Sequence, residues 1–386
     1  MTPIDLRIDD APERAWLLAV VPGDQPPHET EDSLAELGAL AETSRAEIAG
    51  NSLCRLRSIQ PATFIGRGKA EQIAKQLQET GASLVIFDED LSPAQGRNLE
   101  EIFGVRVVDR TQLILDIFAQ RALTLEGSLQ IELAQLHYLL PRLRGLWTHL
   151  ERQKGGIGLK GPGEKQLELD RRRIEERIHR LQSQLQQVRQ RRAELRRGRR
   201  RHGWALLTLV GYTNAGKSTL LNRLTDAGVL ADDRLFATLD PTTRQLRLPN
   251  HQLCLLTDTV GFIRKLPHHL VEAFKATLEE VSEADLLVHV IDAAQPQVEE
   301  QINAVEAVLR ELGAQGKPVL AVLNKTDLEL GRRQAARLGE RFRHVVAISA
   351  ATGAGTEILC QAIADLLRDR VVHLKLKIPL GDGRRL

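Results

Sequence analysis

The segment that most constrains this chain is Gly211-Tyr212-Thr213-Asn214-Ala215-Gly216-Lys217-Ser218-Thr219, set between the apolar run 205–210 and a continuation through Leu220 and Leu221. Its G-x-x-x-x-G-K-[ST] spacing asks for a strand, a glycine-supported loop and a helix in immediate succession. The glycines let successive backbone N–H groups point into the loop's concavity at a helix N-terminus, where they bind phosphate oxygens. Lys217 adds a point charge for β- and γ-phosphates, and the Ser218 hydroxyl is a ligand for Mg2+. Such a unit belongs in an α/β domain with a mostly parallel sheet and helices on both faces.

The rest of the chain supports that class. Residues 15–21, 83–87 and 105–109 read as strands, and 33–44 and 68–81 as helices; a further helix opens with Ser92 as N-cap and Pro93 in its first turn. An N-terminal α/β domain over 1–120 is expected. From Thr111 the pattern turns helical, with Leu129, Leu133, Leu136, Leu139 and Leu140 at helical spacing. Residues 152–166 hold five glycines, a proline and four basic residues, and predict a flexible basic loop. After it, Leu167, Ile174, Ile178, Leu181, Leu185, Val188 and Leu195 keep heptad spacing, with Arg171 and Arg192 at two seam positions. Residues 121–203 are therefore expected to form an antiparallel two-helix coiled coil. Its second helix ends in Arg189, Arg191, Arg192, Arg196, Arg197, Arg199, Arg200 and Arg201 against Glu194 alone. Like charges at this spacing repel, so the run predicts contact with a polyanion, RNA first among them. Arg152, Lys154, Lys160, Lys165, Arg189, Arg196, Arg197, Arg199 and Arg200 are the candidate RNA-binding residues. Residues 204–370 read as the nucleotide domain, and 371–386 as a tail.

Two further motifs follow the loop in order. Asp258-Thr259-Val260-Gly261 closes an apolar strand, placing an acid to hold Mg2+ through water and a glycine N–H to meet a γ-phosphate. Asn324-Lys325-Thr326-Asp327 follows the run 319–323. A carboxylate at Asp327 matches the N1–H and N2–H2 donors of guanine; adenine would leave it desolvated and unpaired. GTP is the expected nucleotide, with the Lys325 stem over the base and the Ala350 N–H on guanine O6. Thr238, in the segment 236–244, is the candidate to complete the metal shell; Thr242 and Thr243 are its rivals. The expected nucleotide contacts are residues 211–219, Phe236, Ala237, Thr238, Leu239, Asp258, Thr259, Val260, Gly261, Asn324, Lys325, Asp327, Ser349, Ala350 and Ala351. Lys217, Thr238 and Gly261 carry the catalytic expectation, and Ser218, Thr238 and Asp258 the metal. Phe262 stands where Ras-like proteins carry a water-orienting glutamine, so slow intrinsic hydrolysis is expected.

These motifs resemble the HflX family of P-loop GTPases. So do "FIGRGKAEQI", "LSPAQGRNLEE", "GGIGLKGPGE", "FATLDPTTR" and "DTVGFIRKLPHHLVEAFKATLEE", and the resemblance runs from Trp16 to Pro379. It implies the same three-part architecture and association with the large (50S) ribosomal subunit and the 70S ribosome, near ribosomal RNA. It implies GTP-dependent splitting of stalled or idle ribosomes under stress; ribosome assembly, or signalling through a protein effector, are the alternatives. Some members bind ATP in the N-terminal half, but Gly66-Arg67-Gly68-Lys69 is too short and generic to place it. Asn214 resembles an asparagine that accompanies K+ dependence in some relatives, so K+ joins Mg2+ as an expected cofactor. Longer members continue into a small C-terminal α/β domain about where "GDGRRL" ends this chain, which is either a natural short form or missing its end.

Bulk composition excludes little else. Hydrophobic residues make up 42% and charged residues 27%, as in ordinary globular proteins, and the net charge is +2. Cys54, Cys254 and Cys360 are too dispersed for a metal knuckle or a disulfide framework. There is no basic-then-apolar leader and no apolar run of the roughly 20 residues a membrane span needs. A cytoplasmic monomer is expected, with a peripheral membrane location left open.

Overall fold

A computed structural model describes residues 13–23, 27–56, 58–143, 162–201, 203–225, 228, 235–265 and 278–368. The chain divides into two compact units. One holds residues 1–201 together with 230–241 and 259–280; the other holds 202–229, 242–258 and 281–386.

The first unit is built on a four-stranded parallel sheet in the order β2-β1-β3-β4, from β1 (Arg14–Pro22), β2 (Glu47–Leu56), β3 (Leu84–Phe87) and β4 (Arg106–Asp109). Helices α1 (Pro27–Thr43), α2 (Arg67–Thr80) and α3 (Pro93–Phe103) connect the strands in turn, and α4 (Arg110–Arg121) follows β4. Alternation along β1 sends Trp16, Leu18 and Val20 into the core shared with Ile73 and Leu77 of α2 and Leu99 and Phe103 of α3. Leu17, Ala19 and Val21 are equally buried, and α1 packs against β1. Ser92 caps α3 in a reciprocal capping box with Gln95, and Pro93 opens the helix as expected. β2 was not anticipated. Its residues are largely half-exposed and polar, with Cys54 the buried one, so it lacks the apolar alternation that announces a strand.

Helix α5 (Leu125–Leu139) packs on the long α6 (Pro162–Arg201). The seam is short: Leu129 meets Leu181 and Leu185, with Leu133 and Leu136 beside them. Arg177 closes it with two 2.7 Å bonds to Glu132. Ile178 is also buried, and the helix carries Arg171–Glu175 and Arg172–Glu176 pairs one turn apart. The helix starts at Pro162, so the expected loop 152–166 is overrun at its end: proline is pre-set for a first helical turn, and Glu164, Lys165 and Gln166 are helix formers. Arg152, Lys154 and Lys160 lie outside the described residues, as does the tail 371–386. Lys165, Arg189, Arg196, Arg197, Arg199 and Arg200 are on the α6 backbone, with side chains outside the description.

The second unit has a six-stranded sheet, order β10-β9-β8-β5-β7-β6. Its strands are β5 (Ala205–Gly211), β6 (Thr242–Arg247), β7 (Leu253–Asp258), β8 (Leu286–Asp292), β9 (Val319–Asn324) and β10 (Val345–Ala347). All pairs are parallel except β6 with β7. Helices α7 (Lys217–Thr225), α9 (Val298–Glu311), α10 (Glu329–Leu338) and α11 (Thr356–Leu366) complete it, and the short α8 (Glu279–Glu283) enters it at Val281. Leu220, Leu221, Leu359 and Ile363 cover one face, and Val298, Ile302 and Leu338 the other. β8 is buried along its whole length, as a central strand covered on both faces must be. From β5 the chain runs out to the edge strand β6, returns along β7 beside β5 and then crosses to β8, so the order reverses beside β5, where open parallel sheets bind ligands at their strand ends.

Candidate nucleotide-binding site

The loop after β5 holds its shape through close backbone approaches. A Cβ on Gly211 would collide with the Val290 carbonyl of β8. Gly216 has φ of 91° and lies against the Asn324 side chain, so a larger residue is excluded twice over. Lys217 is buried with its ammonium folded into the loop, donating to Tyr212 O at 2.8 Å and Gly211 O at 3.3 Å. Burial pulls its pKa down to about 8, with Asp258 opposing the shift. The Thr213 hydroxyl is buried without a hydrogen-bond partner. A positively charged hollow with an unused hydroxyl suits a phosphate group.

Asp258 closes β7 with no exposed surface, and its Oδ2 accepts from Ser218 Oγ at 2.6 Å. This hard-oxygen pair fits Mg2+, which favours a few protein oxygens supplemented by water and substrate phosphates. Among the described residues no cluster of three or more His, Cys, Asp or Glu could hold a metal ion by itself.

At the other end, Asn324 staples two loops. Its Nδ2 donates to Ala215 O at 2.8 Å, and its Oδ1 accepts from Ala350 N at 2.9 Å. The Ala350 N–H, expected on guanine O6, is therefore engaged by Asn324 here, and a base carbonyl would have to exchange for that bond. Lys325 has φ of 63°, and its Nζ lies 2.7 Å from Asp292 Oδ2. Thr326 Oγ1 donates to Ile348 O at 2.8 Å, tying this turn to the strand that precedes Ser349, Ala350 and Ala351. Asp327 is exposed on the turn, where a planar base can approach it.

Two supporting residues escaped sequence reasoning. Asp292 holds Lys325 and also accepts from Ala294 N at 3.0 Å; its signal was the acidic end of the apolar run 286–291. Arg223, from α7, donates to Ala350 O at 3.3 Å and to Ala351 O. No local pattern marks Arg223, because its partners lie more than a hundred residues away.

Of the remaining expected residues, those from Phe236 to Leu239 and from Thr259 to Gly261 belong to the first unit. Phe236 is buried, packed edge-on against Phe118 of α4 with ring centroids 4.6 Å apart, and has φ of 57°. Ala237 and Thr238 are half-buried, and Leu239 is buried. Thr259, Val260, Gly261 and Phe262 are all buried. The rivals of Thr238 are strand residues: Thr242 opens β6, and Thr243 Oγ1 lies 2.9 Å from Thr257 Oγ1. Of the other loop residues, Tyr212 and Ala215 are buried, Thr219 is half-buried, and Asn214 is exposed with φ of 58°.

Comparison with known proteins covers nearly the whole chain. Residues 31–119 match the family "GTP-binding GTPase N-terminal", 121–199 "GTP-binding GTPase Middle Region", and 207–325 "50S ribosome-binding GTPase". The GTPase HflX of Escherichia coli K12 is 51% identical, spanning 92% of this chain and 83% of its own. That of Lacrimispora saccharolytica is 48% identical over 96% of this chain and 86% of its own. A solved GTP-binding protein of Sulfolobus solfataricus in complex with GDP is similar at 26% identity and TM-score 0.46, covering 93% of this chain and all (100%) of that one. With Ser218, Asp258 and Asn324 gathered at one end of the second sheet's strands, and with relatives 48% and 51% identical over 86% and 83% of their own length, the chain belongs to the HflX family of GTPases.

Proposed function

We propose that this GTPase is a switch that acts on the large ribosomal subunit and separates stalled or idle ribosomes under stress. The observation that carries the nucleotide part is the Ser218–Asp258 pair beside the buried Lys217. The ribosomal part is supported by the match of residues 207–325 to a family described as 50S ribosome-binding, and by the arginine run 189–201.

Residues 211–219 hold the phosphates, with backbone N–H groups and the Lys217 ammonium facing the negative charge. Ser218, and Asp258 through water, would hold Mg2+, which would supply positive charge against the phosphates; Thr238 would join them in the GTP state. Asp327 reads the base, and Ser349, Ala350 and Ala351 line its far side. Gly261 offers its N–H to the γ-phosphate, and loss of that phosphate releases both it and Thr238. The phenyl ring of Phe262 neither donates nor accepts the hydrogen bond needed to orient water, so basal hydrolysis is slow and the ribosome completes the site. Asn214 would help hold a K+ ion as a supplementary charge; equal turnover in KCl and NaCl would remove that role. Arg152, Lys154, Lys160, Lys165, Arg189, Arg196, Arg197, Arg199 and Arg200 contact ribosomal RNA. The protein works as a cytoplasmic monomer, and among the described residues no helix is long and apolar enough to cross a membrane.

Light scattering of 70S ribosomes mixed with the protein and a non-hydrolysable GTP analogue tests the proposal. A fall in scattering with the analogue and none with GDP is expected. Co-sedimentation with 50S subunits without any fall would redirect the role to ribosome assembly. Failure to sediment with either particle at low salt would refute the ribosomal reading and leave a signalling switch.

A further inference from the structure

The loop that follows β10 is folded on itself and also fastened from outside, all within the second unit. Ser349 is buried: its carbonyl accepts from Gly353 N at 2.8 Å, its N–H donates to Ala354 O at 2.9 Å, and its Oγ accepts from Thr352 N at 3.2 Å. Gly355, with φ of 77°, ends the loop against the Ala347 carbonyl, where a Cβ would collide. Ala350 and Ala351 are held by side chains from other elements. Ala350 N donates to Asn324 Oδ1 at 2.9 Å. Arg223, in the last turn of α7, donates from Nε to Ala350 O at 3.3 Å and from Nη2 to Ala351 O. These two nitrogens form one edge of the planar guanidinium, so a single rigid fork spans two consecutive carbonyls. Its Cδ, Nε and Cζ pass over Gly353, which has φ of 88°. The Ala351 N–H remains: Ala351 is exposed, and this N–H donates to nothing among the described residues.

We propose that Arg223 is a positioning residue for guanine recognition, aiming the Ala351 N–H at the 6-oxo group of the base and so lengthening the stay of GDP. This rests on the reading of Asp327 and residues 349–351 as the base site. A trans peptide is planar, and its C=O and N–H point in opposite directions. Arg223 holds the Ala350 carbonyl toward α7, so the N–H of the same peptide, which belongs to Ala351, points away from α7. The peptide after it is held by the same fork through the Ala351 carbonyl, so neither can turn over without breaking a bond to Arg223. The Ala350 N–H would have to leave Asn324 to meet the base, whereas the Ala351 N–H gives up no partner in the protein. A donor fixed before its ligand arrives loses less freedom on binding than one carried on a mobile loop. A cation in the last turn of α7 also complements the negative end of that helix. That role needs only a positive charge. It does not explain a fork closed on two carbonyls, for which an exposed arginine gives up rotamer freedom.

Competition of unlabelled GDP and 6-thio-GDP against a fluorescent GDP analogue, on the full-length protein, tests the assignment. In 6-thio-GDP a sulfur, which is a weak acceptor, replaces the 6-oxo group, while the N1–H and N2–H2 expected to face Asp327 remain. Arg223 is exposed, so Arg223→Ala carries little risk to folding. It should weaken GDP binding about tenfold, chiefly through faster release, and 6-thio-GDP by less than about twofold. Arg223→Lys keeps the charge at the end of α7 without the fork and should recover only part of the GDP loss. Unchanged GDP affinity in Arg223→Ala, equal losses of the two nucleotides, or full recovery by lysine overturns the proposal. Asp327→Asn run alongside separates the two claims. If Asp327→Asn loses GDP while Arg223→Ala binds it as the parent does, the base site stands and the positioning role falls; if both variants bind GDP as the parent does, both readings fall.

Discussion

Replacing Asn324 with alanine probes how the two halves of the nucleotide site are held together. The Asn324 amide is 2% exposed and satisfies two backbone groups, the carbonyl of Ala215 and the N–H of Ala350, whose residues are themselves 0% and 2% exposed. A buried polar group that loses its partner costs about 1–3 kcal/mol, so the two together amount to about 2–6 kcal/mol. In the free protein part of this is relieved, because both groups lie on loops that can open toward water. Nucleotide binding then has to close the loops again and restores most of the penalty. At about 1.4 kcal/mol per tenfold, a 2–3 kcal/mol residue of the cost predicts GDP binding weakened by about 100-fold. Thermal unfolding should fall by only a few degrees, at about 2–4 °C per kcal/mol for a chain of this size. Titration with a fluorescent GDP analogue measures the first and calorimetry the second. Asn324→Asp keeps an acceptor for the Ala350 N–H but sets a carboxylate against the Ala215 carbonyl, so it should be no better than alanine. GDP affinity of Asn324→Ala within about threefold of the parent would refute the staple.

Lys217 predicts a pH dependence. Its folded pKa, pulled to about 8 from 10.5 by burial, means the free protein sheds this proton above pH 8, whereas phosphate binding favours the charged form. Nucleotide affinity should hold at pH 7 and fall between about pH 8 and 9, by up to about tenfold; a flat profile contradicts it. The same shift makes folding more favourable as pH rises from about 8 toward 10.5, since the unfolded chain then binds more protons. Phe262, 1% exposed, should tolerate Phe262→Leu with basal hydrolysis within about tenfold, roughly 1.4 kcal/mol in barrier; a collapse of turnover with GTP binding intact would give the ring a direct chemical role. Asp327→Asn should weaken GTP binding by at least about 100-fold and favour xanthosine triphosphate, whose C2 carbonyl needs a donor; unchanged GTP affinity in a competition titration would remove Asp327 from base recognition.

The nucleotide motifs were legible because each packs its chemistry into a few contiguous residues. Gly211 to Ser218 carries its own strand-to-helix geometry, and Asp258 sits at the end of a run apolar enough to be a strand. Ser92, Pro93 and Gly81 marked helix ends for the same local reason, and Gly81 indeed closes α2 in the left-handed conformation. What stayed hidden depends on partners distant in sequence. Asn324 read as part of a base-recognition motif, and its staple from Ala215 to Ala350 appears only when three strand ends converge. Asp292 and Arg223 act on residues tens to more than a hundred positions away. β2 eluded the pattern because a half-exposed strand need not alternate, whereas Phe262, legible as a missing glutamine, is buried as an apolar ring in that stretch would be.

The antiparallel pairing of β6 with β7 has a mechanical consequence. Its last rung joins Thr242 to Asp258, so the chain returns from the segment 230–241 and departs into the segment 259–280 at the same level of the sheet. The two stretches proposed to sense phosphate thus start from one rung. Tension on either would be delivered to the strand pair that ends in Asp258, the carboxylate proposed to hold the metal. A ribosome grasping one stretch would also pull on the root of the other, and both would report to Asp258 as a single lever.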